Sequence, residues 1–66
     1  MEGELLKPAE VARLIRRTEN WLAKARMTGA GPSFLKIGGK VLYRRSAVDG
    51  WLVRCEWNTT GEHRAA

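Results

Sequence analysis

Between residues 13 and 45 the chain carries nine bases, Arg13, Arg16, Arg17, Lys24, Arg26, Lys36, Lys40, Arg44 and Arg45, and a single acid, Glu19. Such a set does one kind of chemistry well. Each ammonium or guanidinium held near a phosphate releases a condensed counterion, so a basic surface of this kind binds a polyanion. Both ends of the chain lean acidic, which brings the total to +5 at pH 7. Among the bases stand Glu19, Asn20, Ala23 and Met27. Amide, acid and ammonium groups can bond base edges, and small apolar groups can touch a thymine methyl. Other chemistries lack their parts. With one cysteine, Cys55, and one histidine, His63, the chain can form neither an intrachain disulfide nor its own zinc site. No paired acid and base, partnered nucleophile or phosphate-cradling glycine loop is legible, so neither an enzyme nor a cofactor is expected.

Positioning those residues is the task of one small domain. At 66 residues the chain buries roughly 60% of its unfolded surface. Its 44% hydrophobic and 29% charged residues suit a folded rather than a disordered chain. No apolar run approaches the ~20 residues of a membrane span, and Met1-Glu2-Gly3-Glu4 does not resemble a secretory signal. The expectation is a soluble cytoplasmic protein without membrane or metal partners.

The first helix is expected to begin at Pro8, whose missing N–H costs nothing there, with Glu10 at the positive dipole end and Leu6 stapled onto Val11. Val11, Leu14 and Ile15 form its inward stripe, and Lys7 is a weak cap. Thr18 starts a second helix in which Leu22 and Ala25 face the core. Two helices joined by about three residues read as a helix-turn-helix, whose second helix enters the major groove. Gly29 and Pro32 end that helix. Gly38-Gly39 then joins Phe34–Ile37 to Lys40–Tyr43 as a hairpin. Alternation is read as placing Leu35, Ile37, Val41 and Tyr43 inward and Lys36, Lys40, Leu42 and Arg44 outward. Ser46 and Asp49 have capping spacing for a third helix, with Val48, Trp51, Leu52 and Cys55 as its buried stripe. Trp57 falls off that stripe. The domain is therefore drawn over residues 1–57, with 58–66 a disordered tail in which His63 is solvated.

The wording LLKPAEVARLI, the segment from Thr18, and the run TGAGPSFLKIGGKVLYRRSAVDGWL together resemble the excisionase-type winged helix-turn-helix family, also called recombination directionality factors. That family is similar to the DNA-binding half of the MerR superfamily. The likeness covers residues 5 to 52. It implies an α+β fold, a small winged helix-turn-helix of three helices with a two-stranded wing between the second and third. It also implies a phage or mobile-element protein, acting on the bacterial nucleoid, that fills repeated sites beside an attachment site and bends the DNA. Its partners would be double-stranded DNA, a tyrosine integrase turned toward excision, and head-to-tail copies of itself. Carried onto this chain, the family pattern gives base contacts to Glu19, Asn20, Ala23 and Lys24. Phosphate contacts fall to Arg16, Arg17, Thr18, Arg26, Arg44 and Arg45, and the wing to Lys36, Gly38, Gly39 and Lys40.

Three departures stand out. Arg16-Arg17 replaces a glycine-hydrophobic pair in the turn, Trp21 and Ala25 exchange bulk between two positions, and Leu42 stands where the wing usually carries charge. Leu42 and Trp57 are accordingly read as a protomer contact. A transcriptional regulator of prophage genes is the alternative within DNA binding. An adaptor or antitoxin-like module that meets an acidic protein is the alternative outside it.

Overall fold

Residues 4–57 are described by the computed structural model. The order is β1 (Leu5–Leu6), α1 (Pro8–Ile15), α2 (Glu19–Thr28), β2 (Leu35–Ile37), β3 (Lys40–Arg44) and α3 (Arg45–Arg54). This is a small α+β fold with three helices and a three-stranded antiparallel sheet in the order β1-β3-β2. The sheet corrects the expected two-stranded hairpin. Proline keeps the residue before it out of helical conformation, so the segment leading to Pro8 arrives extended and finds the free edge of β3. There Leu5 pairs with Arg44 and Leu6 with Tyr43, and the Arg45 N–H donates to the Glu4 carbonyl at 3.0 Å.

Helix α1 begins with half a capping box: the Lys7 N–H donates to Glu10 Oε1 at 2.7 Å. It ends at Arg16, which lies in the left-handed region at φ 60° and ψ 40°. The N–H of Arg16 donates to the Arg13 carbonyl and that of Arg17 to the Ala12 carbonyl, the paired bonds of a Schellman ending. Helix α2 is capped by Thr18, whose Oγ1 accepts from the Trp21 N–H at 3.0 Å, and it stops at the left-handed Gly29.

The core gathers Leu6, Val11, Ala12, Leu22, Tyr43 and Val48, with Ile15, Trp21 and Val41 packed against it. Ala12, not Leu14, completes the inward face of α1. A face centred between Val11 and Ala12 leaves Leu14 roughly a third of a turn away, and Leu14 is 45% exposed. Trp21 does fill space between helices, since its ring lies 6.2 Å from that of Trp51 on α3.

The hairpin faces also differ from expectation. Gly38 and Gly39 take φ 57° and 83°, the two positive values that a two-residue type I′ turn requires. Such a turn makes Ile37 face Lys40, Lys36 face Val41 and Leu35 face Leu42. Directly paired residues share a side of the sheet. Val41 and Tyr43 therefore share a side with Leu6 and Lys36, whereas Leu35, Ile37, Lys40, Leu42 and Arg44 occupy the other with Leu5. An even-numbered turn cannot place Leu35 and Ile37 beside Val41 and Tyr43. Ile37 is accordingly 52% exposed, and Leu42 is half-buried rather than free.

Strand β3 passes into α3 without a loop, so the helix starts at Arg45 behind an Arg44 cap rather than at Ser46. Asp49 does not cap; it pairs with Arg45, Oδ1 to Nε at 3.2 Å. Val48 is buried and Trp51 half-buried, the latter donating from Nε1 to the Ala30 carbonyl at 3.1 Å. Leu52 and Cys55 are exposed, which corrects their assignment to the core. Val48 and Trp51 define the packed side, and the later turns of α3 extend past the elements that cover it. No helix among the described residues is long and apolar enough to cross a membrane. The expected tail at 58–66, His63 included, lies outside the described residues.

Candidate nucleic-acid interface

The three residues Arg16, Arg17 and Thr18 turn the chain from α1 into α2, and both arginines are exposed. The left-handed Arg16 makes the turn tight. The Arg17 guanidinium sits 5.0 Å from the centre of the Trp21 ring, a cation–π distance that keeps its charge close to the first turn of α2. Thr18 uses its oxygen as the helix cap, which leaves its hydroxyl proton available to an acceptor.

With Leu22 and Ala25 buried, the opposite side of α2 is Asn20, Lys24 and Met27, all exposed, flanked by half-buried Ala23. Met27 is 86% exposed and extends the face by one turn beyond the assigned base contacts. Glu19 lies at the other margin. It lines a shallow cleft of about 400 Å³ together with Lys7, Pro8, Ala9, Lys40, Val41 and Leu42. The cleft joins the starts of α1 and α2 to the hairpin, so the acid of α2 stands among cations from two other elements. Lys7 had no signal in the sequence beyond its charge, because its place depends on β1 running alongside β3.

Of the hairpin residues, Lys36 and Lys40 are exposed on either side of the glycine turn. The register puts them on opposite sides of the sheet, so a surface that approaches the tip meets both but one that covers a single side does not. Arg44 is exposed on the same side as Lys40, and Arg45 is exposed yet already engaged with Asp49. Leu42 lines the cleft described above. Trp57 is 61% exposed beyond the end of α3.

Arg26 is held differently from the other described bases. It is half-buried, its Nη1 donates to the Tyr43 hydroxyl at 2.8 Å, and its guanidinium lies 5.8 Å from the centre of the Phe34 ring. It borders a second shallow cleft, about 350 Å³, with Gly31, Pro32, Ser33 and Phe34. Sequence reading missed the tyrosine because it was counted as an apolar inward residue. A buried tyrosine hydroxyl normally finds a partner, and that was the available signal.

On and around α2 the candidate residues thus fall into two groups. Asn20, Ala23, Lys24 and Met27 form one outward helix face, with Arg16, Arg17 and Thr18 at its entry and Glu19, Lys7 and Lys40 at its margin. Arg26 and Ser33 lie at the far end of the same helix. Comparison with family models, curated proteins and solved structures finds no match to this chain.

Proposed function

We propose that the chain is a sequence-specific DNA-binding protein of winged helix-turn-helix form, and that it serves as an excisionase of a phage or mobile element. In this reading α2 enters the major groove, where Asn20, Lys24 and Glu19 read base edges and Ala23 meets a thymine methyl. Arg16, Arg17 and Thr18 hold the backbone at the helix entry, and Arg44 and Arg45 hold it beyond the hairpin. Lys36 and Lys40 carry the glycine tip against an adjacent stretch of backbone, where no side chain at Gly38 or Gly39 obstructs the approach.

The observation that carries the proposal is the outward face of α2. It exposes Asn20, Lys24 and Met27, lies under none of the described elements, and is entered through a turn bearing two exposed arginines. A helix face evolved only for solubility needs no such concentration of charge at one end.

One module presents one helix and one hairpin, so useful affinity comes from adjacent copies whose contacts add. Bending a site of 20–30 base pairs costs of order 1–6 kcal/mol, which phosphate contacts from several protomers offset. The protein performs no strand chemistry itself. A tyrosine integrase partner does, in the bacterial cytoplasm on the host nucleoid, and the bent array favours its excision reaction.

The test is a footprint with bend analysis on DNA selected from the source element, over a range of protein concentrations. Tandem sites in one orientation, filled cooperatively with a growing bend, are expected. A lone or palindromic promoter site without that bend would replace excision with transcriptional control. Weak binding with no sequence preference would instead point to an adaptor or antitoxin-like module.

A further inference from the structure

Tyr43 is fully buried, and its hydroxyl is met by a charged donor from an element 17 residues away in sequence, Arg26 on α2. Phe34 completes a triangle: its ring centre lies 6.4 Å from that of Tyr43 and 5.8 Å from the Arg26 guanidinium. The three side chains come from α2, the loop after it, and β3. Satisfying a tyrosine hydroxyl does not require a full positive charge, since a neutral hydroxyl or a water does as well.

No ion pair among the described residues neutralises that charge. Among the described residues the salt bridge is that of Arg45 with Asp49, and Arg26 has no carboxylate within bridging distance. A half-buried cation loses part of its hydration, and the Tyr43 hydroxyl and the Phe34 ring replace only part of what an anion would supply. Its fork has five N–H donors, of which Tyr43 takes one.

The cleft beside Arg26 supplies a place for the missing anion. It is open and about 350 Å³, and Ser33 lines it together with Gly31, Pro32 and Phe34. Gly31 sits close against the helix, since a Cβ there would meet the Ala25 Cβ at 3.0 Å, tighter than ordinary contact. The loop therefore lies hard against α2 and brings Ser33 to the same cleft as the guanidinium.

We propose that Tyr43 is a positioning residue: it fixes the Arg26 fork so that this cleft, with Ser33 as second donor, clamps one backbone phosphate of the DNA. The inference rests on the DNA-binding reading above. It adds a residue that touches no DNA and a phosphate subsite at the C-terminal end of α2, where the helix dipole opposes an anion and a fixed cation is accordingly required. Holding the fork in place before binding removes an ordering loss that a mobile arginine would incur.

The probe is a labelled duplex of arbitrary sequence, about 20 base pairs long, because phosphate contacts act on any sequence. Its affinity is measured over a series of salt concentrations for the wild type, Tyr43→Phe, Arg26→Lys, Arg26→Gln and the double variant Tyr43→Phe/Arg26→Gln. Circular dichroism and melting identify the variants that remain folded. Tyr43→Phe keeps the ring and loses only the hydroxyl. It is expected to weaken binding about three- to tenfold, as is Arg26→Lys, which keeps the charge but not the fork. Arg26→Gln is expected to weaken it further and to lower the salt slope by about one. The double variant is expected to match Arg26→Gln, since the tyrosine has nothing left to position.

A folded Tyr43→Phe that binds like the wild type, or losses that multiply in the double variant, would overturn the proposal. If Tyr43→Phe does not fold, wild-type affinity in Arg26→Lys overturns it equally. A wild-type protein that ignores the duplex altogether would overturn the DNA-binding reading itself, an outcome distinct from binding that is indifferent to Tyr43.

Discussion

Replacing Arg16 with glycine should make the protein more stable and a poorer DNA binder at the same time. Arg16 is the non-glycine residue with positive φ among those described, and it is exposed at the end of α1. A Cβ in that conformation costs roughly 1–2 kcal/mol. Glycine removes the clash but adds unfolded-state freedom worth about 0.5–1 kcal/mol. Both bonds of the helix ending that involve this turn are made by backbone groups, so they survive the change. At the middle of these ranges the net gain is about 0.75 kcal/mol, or an increase of about 3–6 °C in Tm for a domain of this size. If the side chain meets a phosphate, its removal lowers the salt slope of binding by about 0.9 and weakens binding severalfold. Arg16→Ala is the control, because it loses the same charge and keeps the Cβ. Thermal melts and salt titrations of both variants separate the two effects. Equal melting temperatures for Arg16→Gly and Arg16→Ala would refute the strain argument, and an unchanged salt slope would remove Arg16 from the phosphate contacts.

The other predictions concern the same surface. Thr18→Ala removes the cap bonded to the Trp21 N–H and should destabilise the domain by about 1 kcal/mol in urea unfolding. Asn20→Ala and Lys24→Ala alter exposed side chains, so melting should be unchanged while selection experiments show sequence preference relaxed by ~1–3 kcal/mol for each lost bidentate contact. Charge reversal at Lys36 and Lys40 together should weaken binding to every sequence and flatten its salt dependence. Undiminished slopes would take the hairpin out of the interface.

Signals that reside within a few residues were legible in the sequence. Thr18, Gly29 and the Gly38-Gly39 pair each dictate local backbone geometry, and the structure has a cap, a helix stop and a turn at those positions. The hairpin faces went astray for a physical reason. Hydrophobic alternation was followed along each strand separately, whereas the two-residue turn couples the strands and fixes their relative parity. Leu14, Leu52 and Cys55 have helical spacing that fits a stripe, but these helices have eight and ten residues, and neighbours cover only part of such a stripe. The Arg26–Tyr43 bond depends on α2 meeting β3. No spacing rule announces a partnership between residues so far apart. For the candidate site, the outward face of α2 could be drawn from Leu22 and Ala25 alone, while the cleft that adds Lys7 to Glu19 and Lys40 required β1 to be in place.

The strand β1 also bears on how the chain folds. Its pairing joins Leu5 to Arg44, so it closes a loop of about 40 residues, with an entropy cost on the order of 3 kcal/mol. The β2–β3 hairpin can form locally within microseconds, yet two strands alone are marginal. The hairpin should therefore persist only when the far end of the chain docks beside it and Leu6 enters the core. Sheet formation and core closure then become one event. Amide protons of β3 should exchange with solvent only on global unfolding, while the hairpin tip exchanges through small local openings.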